Sequence, residues 1–255
     1  MPALSRFTTV LRLFSETRDA WTVLAMSDAL EVPASSVYRT VRELVAEGFL
    51  EPSAGTTYRL GAAFVEFDRL TRLTDPLMQM GEPILRDVVR QAKIVCVGIL
   101  ARLYHETVMC IADAAAAGAT FHSSYERGRP MPLMLGATSQ AILAQLPARR
   151  LKRLWEKEPL SRRTRHEQFE ELQQHLAGIR RAGYAITRGE IDKGLVGIAV
   201  PLVVAASGTA ASLSLVVEAR ILNRALEQRL VLLLISSAQM LAEDLSAPKI
   251  MASRR

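Results

Sequence analysis

The stretch that decides the fold reads Pro33-Ala-Ser-Ser-Val-Tyr-Arg-Thr-Val-Arg-Glu-Leu-Val-Ala-Glu47. Its apolar residues recur with the period of a helix, so they fall on one face. They are Val37, Val41, Leu44 and Val45. The opposite face carries small hydroxyls and guanidinium groups. Such a face can enter the major groove of DNA, where it reaches phosphates and base edges.

The segments around this helix predict a winged helix-turn-helix. Helical patterns over residues 5–17 and 22–30 precede it, and Gly48 is expected to end it as a left-handed cap. Two short strands around a turn at residues 52–56 then form a basic wing that carries Arg59. Three helices followed by a hairpin are typical of proteins that bind double-stranded DNA.

The predicted DNA contacts lie on the polar face of the helix and on the wing. The alternative interpretation is that the charged face is only solvated, which is the usual fate of amphipathic helices. The ordered neighbours and the basic wing favour DNA binding. The predicted contacts are Ser35, Ser36, Tyr38, Arg39, Arg42, Thr57 and Arg59.

The composition is that of an ordinary globular protein with room for two domains. The chain has 255 residues, of which 49% are hydrophobic and 23% are charged. The net charge of +6 favours an anionic partner, although a modest surplus also serves solubility. A basic cluster over residues 149–165 is predicted to be a solvated helical surface rather than a second nucleic-acid site.

The two cysteines and the amino terminus indicate a cytoplasmic protein. Cys96 and Cys110 lie in apolar runs without metal-ligand spacing, so buried free thiols in a reducing compartment are expected, with a disulfide as the less favoured alternative. The amino terminus carries Arg6 and Arg12 but no long apolar core, and we therefore predict no signal peptide.

One uncharged run is long enough to span a bilayer. Residues 195–217 comprise 23 positions without a charge. Pro201 and the turn-forming residues 205–209 interrupt it, and strand formers lie on both sides. A buried β-hairpin is therefore predicted, and no membrane contact is expected.

The remainder of the chain predicts an α+β domain with an antiparallel sheet covered by helices. Strands come in two batches, with helices between them and a long helix at the end. The expected strands are 94–103, 107–112, 119–125, 184–188, 195–204 and 209–217, and the expected helices are 76–91, 136–146, 148–157, 164–182 and 223–245. The predicted divisions are a DNA-binding domain at 1–61, a linker helix at 62–75, a sensor domain at 76–247 and a tail at 248–255.

Four motifs occur in a characteristic order along the chain. Tyr58-Arg-Leu-Gly61 ends the wing, and Gly128-Arg-Pro-Met-Pro-Leu133 leads through to Ala141-Ile-Leu-Ala144. Gly183-Tyr-Ala185 and Gly194-Leu-Val-Gly-Ile-Ala-Val-Pro201 follow. Together they make the chain resemble the isocitrate lyase regulator (IclR) family of bacterial transcription regulators from about residue 5 to residue 242.

This resemblance implies a homodimer or a dimer of dimers on a palindromic operator. It also implies a carboxy-terminal domain, related to GAF-type sensor folds, that binds a small-molecule effector. The chain departs from the family pattern at Glu31, where glycine is frequent, and at Gly197, near which some members have a cysteine. The helix beginning at Gly136 also differs, so the effector of another member cannot be transferred.

The start of this helix is the predicted effector site. Its unpaired N–H groups and positive dipole end suit a carboxylate, so a small organic acid is the expected effector. The alternative is simple capping, in which the hydroxyls of Thr138 and Ser139 satisfy their own helix. Gly197 leaves room for a larger, aromatic acid. The predicted ligand contacts are Met109, Cys110, Phe121, Leu133, Gly136, Ala137, Thr138, Ser139, Leu195, Gly197 and Ala199.

Two other classes of function compete with a ligand-responsive regulator. An enzyme is not expected, because the four histidines lack metal-ligand spacing and no nucleophile or phosphate-loop motif occurs. We accordingly predict no catalytic residues, no metal site and no cofactor. A winged-helix module that binds another protein is the second alternative, and the salt dependence of binding distinguishes it from DNA recognition.

Overall fold

The computed structural model of the protein describes residues 3–158, 168–204 and 209–246. The chain divides into two compact units between Thr74 and Asp75. The first unit therefore includes the helix that was predicted as a linker. The predicted tail lies outside the described residues.

The first unit contains four helices and a small sheet. In chain order its elements are α1 (Ala3–Leu11), β1 (Trp21–Thr22), α2 (Val23–Leu30), α3 (Ala34–Ala46), β2 (Leu50–Pro52), β3 (Thr57–Leu60) and α4 (Ala63–Thr74). The antiparallel sheet has the order β1-β3-β2. Met26, Val41 and Leu50 are fully buried in its core, because α2, α3 and the hairpin turn their apolar faces inward. The predicted winged helix-turn-helix is confirmed.

The carboxyl end of α3 is closed by a Schellman motif. The N–H of Phe49 donates to the carbonyl of Leu44 at 2.8 Å, and that of Gly48 to Val45 at 3.1 Å. Gly48 has φ = 72°, which confirms the predicted left-handed cap. Phe49 then stacks on Phe67 of α4, with ring centroids 5.8 Å apart, and meets Phe64 edge-on at 5.6 Å.

Glu31 occupies the left-handed cap of α2, with φ = 54° and ψ = 39°. A side chain in this region costs about 1 kcal/mol relative to glycine. We therefore expect Glu31→Gly to raise the free energy of unfolding of the first unit by up to about 1 kcal/mol. Urea denaturation of the purified full-length variant and of the full-length wild type measures this difference in free energy. The matched control is Glu47→Gly, at an exposed residue with an ordinary φ of −92°, and it should not raise the free energy of unfolding. A lower free energy of unfolding in Glu31→Gly would contradict the strain argument.

The second unit contains a six-stranded antiparallel sheet of order β6-β5-β4-β9-β8-β7. The α+β fold with an antiparallel sheet is thus confirmed. Its elements are α5 (Pro76–Ala92), β4 (Val97–Tyr104), β5 (Thr107–Ala115), β6 (Pro130–Met131), α6 (Gly136–Leu143), α7 (Ala148–Lys157), α8 (Phe169–Ala182), β7 (Ala185–Arg188), β8 (Leu195–Val204), β9 (Thr209–Glu218) and α9 (Arg224–Ser246).

Helices cover both faces of this sheet. On one face α5 and α9 pack against the strands and each other, with Leu85, Leu213 and Leu234 fully buried. On the other face lie α6, α7 and α8, with Ile99 and Ile142 fully buried between sheet and helices. Because helices cover both faces of the sheet, its strands carry apolar side chains on both sides and do not alternate between apolar and polar residues.

The uncharged run at 195–217 forms the hairpin of β8 and β9, as predicted, although its turn at 205–208 lies outside the described residues. Among the described helices, α9 is the one long and apolar enough to cross a membrane. Its leucines 230, 234 and 241 are instead fully buried in the core of the unit, so α9 is a core helix here.

Two smaller predictions have different outcomes. Cys96 and Cys110 are buried free thiols, as expected, and burial raises their pKa values to about 11 and about 12. The strand predicted at 119–125 is wrong, because this segment is a loop. Its polar groups bond to the β7–β8 loop instead of to a strand, as when the Ser124 N–H donates to the Asp192 carboxylate at 3.0 Å.

Candidate functional site

The polar face of α3 is exposed in the first unit. Ser35, Arg39 and Arg42 are exposed, as is Tyr38 with 52% of its surface. Ser36 is half-buried at the edge of this face. Within the described residues, neither Arg39 nor Arg42 forms an ion pair with a carboxylate. Both guanidinium groups are thus available to phosphates and base edges.

The predicted contact residues of the wing are less available to DNA than those of α3. The guanidinium of Arg59 pairs with Glu51 across the hairpin, with Nε donating to Oε1 at 2.6 Å. The hydroxyl of Thr57 donates to the Ala54 carbonyl at 2.7 Å. The carboxylate of Glu51 thus offsets the Arg59 charge that the sequence assigned to the wing.

In the second unit, α6 is a buried helix that begins at a glycine in a left-handed conformation. All eight of its residues are buried. Gly136 has φ = 78°, and a Cβ there would lie 2.8 Å from Ile191 Cγ1 and 2.9 Å from Tyr125 Oη. Only glycine fits this position without displacing its neighbours.

The first N–H groups of α6 are satisfied by side chains from the far edge of the sheet. The N–H of Ala137 donates to Thr187 Oγ1 at 3.0 Å, and that of Gly136 donates to Glu190 Oε2 at 3.1 Å. Gln140 also donates to Glu190 Oε2, at 3.1 Å. A carboxylate thus already lies at the positive end of the helix, where such a group is stabilised.

Glu190 belongs to the pocket loop, which we define as residues 189–194 between β7 and β8. Its Ile191 lies over Gly136, and its Asp192 accepts hydrogen bonds from the N–H and hydroxyl of Ser124. The loop is therefore attached to α6 on one side and to the segment before β6 on the other.

A small cavity lies beneath this loop. Its volume of about 20 Å³ is room for about one water molecule. Its walls come from α6, from β7 to β9, from Tyr125 and from the pocket loop. The lining residues are Tyr125, Gly136, Ala137, Thr138, Thr187, Gly189, Glu190, Ile191, Asp192, Leu195, Gly197 and Val216.

Five of the predicted ligand contacts are brought together at this cavity: Gly136, Ala137, Thr138, Leu195 and Gly197. Six are not on its walls. Cys110, Leu133 and Ala199 belong to the apolar core beside α6, with Phe121 packed against it, and Ser139 lies on α6 itself. Met109 is half-buried on β5, paired with Pro130.

The hydroxyls of α6 do not cap their own helix. Thr138 Oγ1 lies 2.9 Å from Ser214 Oγ on β9, and Ser139 Oγ donates to the Pro132 carbonyl at 2.8 Å. Tyr125 was not among the predicted contacts, and its hydroxyl lies 3.4 Å from Ser139 Oγ. Burial raises the pKa of this phenol to about 12, so it remains a neutral hydrogen-bond donor.

No group of three or more histidine, cysteine, aspartate or glutamate side chains arranged to hold a metal ion occurs in the described ranges. The polar groups at the cavity are one phenol, hydroxyls, carboxylates and backbone N–H groups. They can orient a small molecule by hydrogen bonds.

A helix-turn-helix unit followed by an α+β unit is consistent with the class of two-domain transcription regulators. Residues 3–54 match the IclR helix-turn-helix domain, and residues 73–243 match the carboxy-terminal domain of bacterial IclR regulators. The chain belongs to the IclR family.

Relatives of known sequence and structure agree with this assignment. The Pca regulon regulatory protein of Pseudomonas putida is 24% identical over 96% of this chain and 84% of its own. A putative IclR regulator from Silicibacter sp. TM1040 has a TM-score of 0.81 at 18% identity, covering 96% of both chains. An IclR homologue from Microbacterium hydrocarbonoxydans, solved with 4-hydroxybenzoate, has a TM-score of 0.79 at 25% identity, covering 96% of this chain and 99% of that one.

Proposed function

We propose that this IclR-type regulator binds operator DNA through the exposed face of α3 and senses a small organic acid at the amino end of α6. The effector is an aromatic carboxylic acid. Its carboxylate accepts hydrogen bonds from the first N–H groups of α6, and its ring extends toward Gly197. The protein has no catalytic role.

The observation that carries the ligand proposal is the carboxylate of Glu190 on the Gly136 N–H. It indicates that this helix end accommodates a carboxylate beside a small cavity. The missing side chain of Gly197 supports an aromatic ring, since it leaves the space of a Cβ free on the cavity wall beside Ala137 and Thr187. The homologue bound to 4-hydroxybenzoate, which covers nearly the whole chain, supports the same class of ligand.

The exposed apolar face of α4 supports a homodimer on a palindromic operator. None of the residues of α4 is buried in the described chain. A second copy would cover this face, because contiguous apolar surface of this kind is typical of interfaces. A dimer of dimers would follow the same symmetry. The exposed apolar side chains are Phe64, Val65, Phe67, Leu70 and Leu73.

A protein-interaction module is the second candidate, and salt distinguishes the two. We expect binding to a DNA duplex, selected by the protein from a random pool, to weaken steeply as salt rises, since each neutralised phosphate releases a counterion. Fluorescence anisotropy at several salt concentrations measures the slope. A slope near zero, or no selected duplex, would favour the protein-interaction module.

The ligand part is tested by thermal shift with 4-hydroxybenzoate and with its uncharged amide, 4-hydroxybenzamide. We expect the acid to raise Tm and the amide to do so less, since ligand bound to the folded form stabilises it. Acid binding should also change the affinity for the selected duplex. If 4-hydroxybenzoate changes neither Tm nor duplex binding, this acid is not the effector and the ligand part of the proposal loses its support from the homologue.

A further inference from the structure

We infer that Glu190 is an internal competitor of the effector, so that an organic acid binds by displacing the pocket loop from α6. This inference rests on the proposed function, because it concerns the regulation of the same site. The displaced loop is then the structural difference between the free and the bound state.

The competing group already occupies the position that the effector needs. Glu190 Oε2 accepts from the Gly136 N–H and from Gln140 Nε2, both at 3.1 Å. A second carboxylate at the same N–H would displace the first, because two like charges at this distance repel strongly. Gln140 is itself held by His175, whose Nε2 lies 3.0 Å from Gln140 Oε1.

The available volume leads independently to the same conclusion. The cavity of about 20 Å³ is far below the roughly 300 Å³ at which small-molecule pockets begin. Ile191 closes it from above, in contact with Gly136. The strands and α6 belong to the packed core, so the pocket loop is the wall that can yield.

The loop is built to move as a unit. Gly189 and Gly194, at its two ends, have φ of 64° and 79°, and the space beside both is open. The base is fixed by backbone bonds, from the Gly189 N–H to the Leu195 carbonyl and from the Ala219 N–H to the Gly194 carbonyl, both at 2.8 Å. Terminal glycines with free space around them can absorb the change in backbone angles.

This arrangement supplies the differential affinity that a switch requires. An effector shifts an equilibrium only if it binds one state better than the other. Here the acid binds the state with the loop displaced, and the contacts of Glu190, Ile191 and Asp192 stabilise the state without effector. The strength of these contacts sets the effector concentration at which the protein responds.

The test compares Glu190→Ala with Asp192→Ala in the full-length chain, using 4-hydroxybenzoate and 4-hydroxybenzamide in titration calorimetry. Both variants loosen the loop, but only the first removes the competing carboxylate. We expect Glu190→Ala to tighten binding of the acid about tenfold or more, since a hydrogen bond to a charged group is worth at least that factor. The affinity of Glu190→Ala for the amide should increase by a smaller factor. Asp192→Ala should change both ligands by a similar factor.

Hydrogen exchange of the wild-type chain is a second readout that needs no variant. We expect residues 189–194 to exchange faster when 4-hydroxybenzoate is bound, while the first amides of α6 stay protected. Slower loop exchange on binding would indicate a lid that closes, and would overturn the inference. Unchanged or weaker acid binding by Glu190→Ala would also overturn the inference, but it would leave the proposed function intact. Absence of 4-hydroxybenzoate binding by both wild type and Glu190→Ala would overturn the proposed effector as well.

Discussion

Replacing Arg39 or Arg42 by alanine should lower the affinity for the selected duplex by about tenfold to a hundredfold each, since one good arginine contact is worth 1–3 kcal/mol. Both side chains are exposed on α3, without a carboxylate partner in the described part of the chain. Fluorescence anisotropy at several salt concentrations measures the loss. An arginine that contacts only phosphate should also reduce the salt slope by about one.

Arg90→Ala is the matched control for these variants. It removes one positive charge from an exposed arginine of α5, which pairs with Asp87. It should leave DNA affinity nearly unchanged. Wild-type affinity in both α3 variants would remove this helix face from the DNA interface, whereas equal losses in all three would indicate a non-specific effect of net charge.

Replacing Gly136 by leucine should abolish the response to organic acid while DNA binding persists. The side chain would project from a left-handed position into Ile191 and Tyr125, and it would fill the space needed by the acid. We expect the affinity for 4-hydroxybenzoate to fall about tenfold to a hundredfold, because the acid could bind only by overpacking the leucine side chain, which costs about 1–3 kcal/mol. Calorimetry and duplex binding measure the two activities separately.

Gly197→Ala is a milder variant that separates loss of the pocket from misfolding. Its Cβ meets only ordinary contacts and its backbone is not left-handed, so the added methyl group narrows the cavity without strain at α6. It should weaken the acid response in the same direction. A normal response in both variants would place the effector elsewhere in the protein.

The sequence predicted most of the fold because long elements carry a clear period. The α3 pattern, the Gly48 cap and the β8–β9 hairpin all follow from local rules, and each is present. Strand β1 was missed because two residues, Trp21 and Thr22, are too short to show alternation. Helix α1 ends at Leu11 rather than near residue 17, where the chain instead forms an isolated bridge from Ser15 to Arg18.

The candidate pocket was only partly predictable, for a physical reason. The start of α6 is visible locally as glycine before a helical pattern. Its main partner, Glu190, lies 54 positions further along and looks like an ordinary solvated acid in a turn. Conversely, Cys110 and Leu133 have the apolar character expected of a pocket wall, but that character is the same for the core that they join. Only the tertiary fold separates the two.

The aromatic contact of Phe49 with Phe64 and Phe67 has a consequence for how operators are read. Because it joins the end of α3 to α4, we expect a rotation of α4 to turn α3 with it. Under the proposed function, an effector response that reaches α4 would alter the preferred number of base pairs between half-sites, and not the sequence recognised within each. The affinity for duplexes with a lengthened spacer and the affinity for duplexes with a shortened spacer should therefore change in opposite directions when the acid is added.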